Sequence, residues 1–365
     1  SMTRMTYNED VQLGKAVPGD ILMGPISIGQ MGVSVTAPLF DLTLYERWKA
    51  ARHAEDGAKA QSRVERETIA ALVVSQYLRS QRAAEAVKAA DSRVELAAAL
   101  EELARDQQKH GLGTSLDTLR AQVQHQNERQ NLIQAQTQLK TAHYGLIKLL
   151  DLDPATTLDL TDPLSATAAP GFTFQEAFAT GMKERPETTA LEARDQAAAS
   201  LKRAAQGLGI PSVVVGGSFA NQGLFPHQPW VNTYVAYIAV KVPLFTGGRV
   251  SAQTAKAQTE LEQVKEDRRE LQARVGMEVQ VAQAEVAAAG SEVVVATQAV
   301  ALEQEAMTQA RHRFEAGVSN NIEVINAQDE LARAMDGRIN ALYRLNQSRA
   351  DLAKAMGQLE PLFTH

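Results

Sequence analysis

Small apolar residues recur along the second half of the chain with a helical rhythm. Val279, Ala282, Val286, Ala289, Val293, Ala296 and Val300 form one series, which resumes at Met307 and Ala310. The steps alternate three and four, the 3.5-residue period of helices that supercoil left-handedly. Glu303 supplies the one polar beat. A matching series runs through Ile69, Val73, Gln76, Ser80, Ala83, Val87, Ala90, Val94, Ala97 and Ala104. Upstream of the later series, Ala257, Leu261, Val264, Leu271 and Val275 continue it. Two successive steps of four at Leu271–Val275–Val279 make a stutter that locally relaxes the supercoil. The stretch from Arg249 to Phe314 contains no proline. It predicts one helix of ~100 Å at 1.5 Å per residue. An alanine-rich seam suits close packing with several neighbours. On periodicity alone, an ordinary long coiled coil fits as well.

Two other stretches alternate with period two. Tyr234, Ala236, Ile238, Val240 and Val242 share one face, and Thr233, Ala239 and Lys241 fall mainly on the other. Such a pattern predicts a strand with one apolar face. Met31, Val33, Val35 and Ala37 repeat it opposite Ser34 and Thr36. A phase slip near residues 29–32 suggests a bulge. Pro211 opens an earlier strand, so a strand pair is expected over 212–242. About two strands per half are too few for an independent sheet. Their apolar face must meet another subunit, lipid, or the interior of a small sandwich.

Both strands end in the same corner, Pro38-Leu39-Phe40 and Pro243-Leu244-Phe245, 205 residues apart. Gly111 to Gln122 aligns with Gly317 to Gln328 at a separation of 206, as do Leu139, Leu146 and Lys148 with Leu345, Leu352 and Lys354. The chain is a tandem duplication. Each copy runs strand, long helix, glycine-bearing tip, second helix. The expected division is a first repeat over 1–150 with its tip near 111–117, a connector over 151–172, and a second repeat over 173–365 with its tip near 315–323. The second repeat has a helical stretch, Phe174–Leu208, before its strand pair. The first has only 20 residues before Ile21, so it is expected to lack that helix and most of one strand.

Composition narrows the function classes. Ala, Gln, Glu, Arg and Leu dominate, and only 5% of the 365 residues are aromatic, against an all-β protein of this size. A net charge of −6 argues against a nucleic-acid-coating protein. No cysteine is present, which removes disulfides and thiol chemistry. No run approaches the ~20 apolar residues of a spanning helix, although a β-barrel remains open. No phosphate-binding glycine loop, paired-histidine helix face or nucleophile elbow occurs. His110 and His312 sit near the tips as solvated residues. The Asp151–Asp162 stretch reads as a solvated linker. No cofactor, metal or catalytic residue is expected.

Together these features resemble the outer-membrane efflux protein family, the TolC-like outer-membrane factors. The resemblance is carried by the duplication, the strand–Pro-Leu-Phe–helix corners, the tips Gly111–Asp117 and Gly317–Glu323, and the segment from Phe174 through Lys183–Glu187. It spans about residues 25–360. It implies a mainly α fold with a small β part. Three chains would close an outer-membrane β-barrel of twelve strands and a periplasmic α-barrel. The homotrimer would be an exit duct for a tripartite pump or type I secretion system. Its partners would be a periplasmic adaptor, an inner-membrane transporter and outer-membrane lipid. The start of the chain leaves a fourth strand per subunit in question. The rival reading is a soluble coiled-coil scaffold that binds through its tips.

The resemblance also assigns roles to residues. Glu323 and Asn326 match the paired acids of the pore constriction, with one carboxylate lost, so three copies of Glu323 would form an acidic ring. Asp117 matches the acid of the tip latch, whereas Phe314 and Ser319 replace its Tyr and Arg. The latch is therefore absent or rebuilt, with Arg313 or Arg120 as the expected partner of Asp117. Gly111, Gly113 and Gly317 would permit the tip turns. Leu112 and Val318, with Ser319, are candidates for adaptor docking. Phe219, Phe225, Trp230, Tyr234, Tyr237, Ile238 and Val240 are candidates for the membrane-facing surface and its aromatic girdle.

Overall fold

A computed structural model describes residues 2–7, 11–12, 22–23, 26–166, 171–225 and 230–359, with side chains described from residue 29 onward except at 224 and 225. The order is β1 (Met2–Tyr7), β2 (Val11–Gln12), β3 (Leu22–Met23), β4 (Ile26–Phe40), α1 (Leu42–Lys109), α2 (Ser115–Leu149), α3 (Phe174–Glu184), α4 (Pro186–Gly207), β5 (Ser212–Phe225), β6 (Trp230–Lys241), α5 (Arg249–Glu315) and α6 (Asn321–Ala355). Two compact units interleave along the chain. One comprises residues 1–57 and 191–267, the other 58–190 and 268–365.

The first unit holds an antiparallel sheet in the order β1-β4-β5-β6. The fourth strand in question is thus present, with β1 pairing Met2–Tyr7 against Ile26–Met31. β2 and β3 pair separately. The bulge expected near residues 29–32 is absent. The β4–β5 register runs unbroken from Ser27 to Pro38 and shifts between Pro38 and Phe40. The glycines serve close approach instead. A Cβ on Gly29 would lie 2.6 Å from the Trp230 ring, and one on Gly32 2.5 Å from the Phe219 carbonyl oxygen. Nearby, Arg203 on α4 binds Glu46 on α1 at 2.9 Å.

Register gives the sheet two unlike faces. Val33, Phe219 and Tyr234 align across the strands, as do Val35, Gly217 and Ala236, then Ala37, Val215 and Ile238. The other face carries Ser34, Ser218 and Val235, then Thr36, Gly216 and Tyr237. Its neighbours Gln30 and Thr233 are polar too.

The second unit is helical. Val275, Val279, Ala282, Ala289, Val293, Met307 and Ala310 are buried along α5, which places the stutter and the alternating seam where the pattern puts them. Within α1, Ser80, Ala90, Ala97 and Ala104 are buried, but Ile69 is exposed. Ala289 and Val293 pack on Ala341 and Leu345 of α6. One 18-residue window of α5 is apolar enough for a membrane span by length and composition only, and Gln and Glu interrupt its apolar residues. Only 11% of that window is buried. Val294, Val295 and Leu302 stand exposed along the same helix.

The helical stretch before β5 breaks at Arg185, because Pro186 cannot continue the hydrogen-bond ladder. Arg185 is buried and pairs with Glu187 at 3.1 Å and with Glu278 of α5. Thr173 and Glu176 form a capping box at the start of α3. The connector is tied down by Tyr77, which donates to Asp162 at 2.8 Å, and by Asn346, which donates to the Ser165 carbonyl at 2.9 Å.

Four helix ends close in the left-handed conformation: Gly111, Asp151, Gly317 and Gly357, with φ of +74°, +51°, +68° and +68°. Asp151 and Gly357 occupy equivalent places in the two copies. Only Gly357 is hemmed in, since a Cβ there would lie 2.8 Å from the Arg185 nitrogen.

Candidate functional site

The two tips are built alike. At the first, the Gly111 N–H donates to the Gln108 carbonyl at 3.1 Å and the Leu112 N–H to the Gln107 carbonyl at 2.9 Å. At the second, the Gly317 N–H donates to the Phe314 carbonyl and the Val318 N–H to the Arg313 carbonyl, both at 3.0 Å. This pair of bonds is the Schellman closure, which needs a residue at positive φ and so favours glycine. Gly113 has no positive φ. It allows close approach, with a Cβ there 3.2 Å from that of Gln107.

Each following helix starts on a side-chain cap. Thr114 accepts from the Asp117 N–H at 3.2 Å, and the Asp117 carboxylate accepts from the Thr114 N–H at 3.1 Å. The Asp117 carboxylate is therefore engaged in a capping box. Asn320 accepts from the Glu323 N–H at 3.3 Å. Glu323 also meets Arg313, with Nε 3.0 Å from its Oε1. Arg120 lies half-buried on α2.

Two buried amides join the tips. Gln107 Nε2 donates to the Phe314 carbonyl at 2.8 Å, and Asn321 Nδ2 donates to the Asp117 carbonyl at 2.8 Å. Beneath them Phe314 packs with Leu100, Ala104, Ala121, Met307 and Val324 in one cluster. Higher up, Arg93 Nη1 reaches Asp336 at 3.2 Å, and Gln124 donates to Asp329 at 3.1 Å. These cross-hairpin contacts have no local sequence signature, so pattern reading missed Gln107, Asn321 and Arg93.

Ser319 Oγ is buried without a hydrogen-bond partner among the described residues. Leu112 and Val318 are 74% and 68% exposed at the two turns. Glu323 and Asn326 share the exposed face of α6, away from buried Val324, Gln328 and Leu331. Exposed charges nearby are paired. Arg311 binds Glu315 at 2.8 Å, which holds that carboxyl below its usual range. Lys109 does the same for Asp106.

On the sheet, Phe219, Tyr234, Ile238 and Val240 are exposed on the apolar face, and Trp230 covers Gly29 on that face. Tyr237, grouped with them by composition, stands on the polar face, 3.5 Å from Thr36 Oγ1. Alternation along β6 requires this, because residues 234, 236 and 238 point the other way. The side chain of Phe225 lies outside the described residues.

Solved outer-membrane proteins share this fold. VceC of Vibrio cholerae superposes with a TM-score of 0.75 at 18% identity, over 98% of this chain and 86% of that one. MtrE of Neisseria gonorrhoeae, in its open state, does so at 0.76 and 19%, over 98% and 81%. The chain belongs to the outer membrane efflux protein family, whose profile matches residues 23–151 and 182–358. Outer membrane efflux protein BepC of Brucella suis is 23% identical over 251 residues, 68% of this chain. The chain spans about half the length of that relative, 54%.

Proposed function

We propose that the chain is one protomer of a homotrimeric exit duct. It would carry solutes across the periplasm and outer membrane for a tripartite efflux pump or type I secretion system. It works by geometry and charge, without a catalytic step. A periplasmic adaptor and an inner-membrane transporter are its proposed partners, with Leu112, Val318 and Ser319 at the adaptor end. Each chain contributes four strands to one barrel of twelve. Each repeat forms a working module over 1–150 and 173–365, linked by 151–172.

One observation carries this reading: one face of the sheet is mainly apolar, the other carries most of its hydroxyl groups, and β1 and β6 are its edge strands among the described residues. Val33, Val35, Phe219, Tyr234, Ile238 and Val240 are all largely uncovered. Leaving these six in water costs roughly 6–12 kcal/mol, at ~1.5–3 kcal/mol per fully buried large apolar side chain scaled by exposure. That matches the whole stability of an ordinary domain. Lipid on the apolar face and water on the polar face remove the cost. Among the described residues β1 and β6 are the edge strands, and closure with copies would pair their outward backbone groups. The exposed apolar residues of α5 suit the same assembly.

The test is extraction of the full chain in detergent, followed by particle imaging and single-channel recording. A threefold tube that conducts supports the duct. A monomer or dimer that stays in solution without detergent and does not conduct refutes it, and favours the scaffold.

A further inference from the structure

We propose that Arg313 determines the ion selectivity of the constriction by neutralising Glu323, so the closing ring is of mixed charge instead of acidic. This rests on the reading of Glu323 as a constriction residue.

Ten residues separate Arg313 from Glu323 in sequence, and the tip turn brings them together. Arg313 sits in the last turn of α5, where its carbonyl accepts the Val318 N–H of the Schellman closure. Glu323 sits in the first turn of α6, where the Asn320 cap fixes its backbone. Both ends of the pair are therefore set by the turn itself. Arg313 Nε lies 3.0 Å from Glu323 Oε1, and the side chains are 57% and 43% exposed.

An ion pair this wet adds little to stability. Its effect on a passing ion is different in kind. A ring of uncompensated carboxylates in a narrow, low-dielectric passage concentrates cations and repels anions. A guanidinium bound to each carboxylate cancels that field to within a few ångströms. Most neighbouring charges are paired in the same way. Arg311 and His312 face Glu315. On the first tip, Lys109 faces Asp106 and Arg105 faces Glu101, whereas the Asp117 carboxylate, hydrogen-bonded by neutral donors in its capping box, keeps its charge and adds the acidic member of a mixed ring. Asn326, one turn beyond Glu323 on the same face, offers an amide without charge. The class of solute this tip admits therefore includes anions and zwitterions as well as cations.

The test is reversal potential in a KCl gradient across planar bilayers, for the full chain and its variants. Wild type is expected to discriminate weakly. Arg313→Gln is expected to raise the potassium-to-chloride permeability ratio at least about threefold, since each carboxylate then acts unscreened by its partner. Arg313→Lys keeps the charge and should stay near wild type, and Arg313→Gln with Glu323→Gln should return there. Unchanged thermal melting of Arg313→Gln separates the charge effect from misfolding. If Glu323→Gln makes the pore anion-selective while Arg313→Gln leaves the potential unchanged, the neutralising role is overturned and the constriction stands. If both substitutions are silent in a conducting pore, the constriction reading is overturned along with it.

Discussion

Removing both amide donors that join the tips should open the proposed duct more often. The perturbation is Gln107→Met with Asn321→Leu, each close in shape to the original side chain. Gln107 loses its bond to the Phe314 carbonyl, but that oxygen keeps the Gly317 N–H at 3.0 Å. The cost is then the net value of one hydrogen bond, about 1 kcal/mol, and not a buried orphan acceptor. Asn321 loses its bond to the Asp117 carbonyl. It already has a buried Oδ1 without a partner among the described residues. Substitution removes that penalty together with the bond, so its net cost falls at or below about 1 kcal/mol. The pair therefore holds the tips together by about 1–2 kcal/mol, a factor of roughly 5–30 in the closed-to-open ratio. Both amides span one interface, so their effects should not add simply. The assay is open probability in planar bilayers, with leakage of a large antibiotic into cells as the second readout. A double variant that opens no more often than wild type, with the same melting curve, would refute the latch.

Three further outcomes follow from local geometry. Burial pushes the Glu187 carboxyl up, but hydrogen bonds from Arg185 outweigh this and hold it below the usual carboxylate range. A lowered folded pKa stabilises above the unfolded value of about 4.3 and is lost as pH falls through the folded value. Thermal melting should therefore drop on acidification below about pH 4, and Arg185→Met should flatten that dependence while costing about 2–4 kcal/mol at pH 7. Gly357→Ala should lower the melting temperature, because the new Cβ meets backbone at 2.8–2.9 Å from Arg185 and Glu184 and the φ of +68° is strained besides. Asp151→Ala, at the equivalent position where a Cβ is already accommodated, should cost less, about 1 kcal/mol. Ile238→Lys should reduce assembly into membranes by about 2–4 kcal/mol at mid-depth, whereas Thr36→Lys on the polar face should be tolerated; equal yields of folded barrel would refute the assignment of faces.

Periodicity made the frame legible because it is a local property. The seam from Val275 to Ala310 repeats every three or four residues, and each buried member repeats the same requirement, so single exceptions such as Ile69 do not erase it. Alternation in β6 was equally plain, and it would have separated Tyr237 from Tyr234 had parity been weighed above aromatic character. What stayed hidden depends on chain reversal. Gln107 and Phe314 lie 207 residues apart, and Asn321 and Asp117 lie 204 apart. An amide that donates to a distant carbonyl leaves no trace in its neighbours. Glycine was legible only as an exception to side-chain sterics. Its two uses, positive φ at Gly111 and close approach at Gly32, look identical until the opposing strand is in place.

Duplication sharpens this distinction. Two copies share the helix rhythm, the Schellman turns and the capped starts, all of which a short segment can satisfy by itself. They diverge at single residues whose surroundings differ. Gly357 cannot become the aspartate of its equivalent, Asp151, because the backbone of Glu184 and Arg185, in the helical stretch that precedes β5, lies against it. Thr114 caps its helix with the help of Asp117, whereas Asn320 caps alone and leaves Glu323 to reach Arg313. The repeated elements thus build the helical frame. Gln107, Asn321 and Arg313, which break the repeat, are the residues proposed to hold the tips together and to set the charge between them.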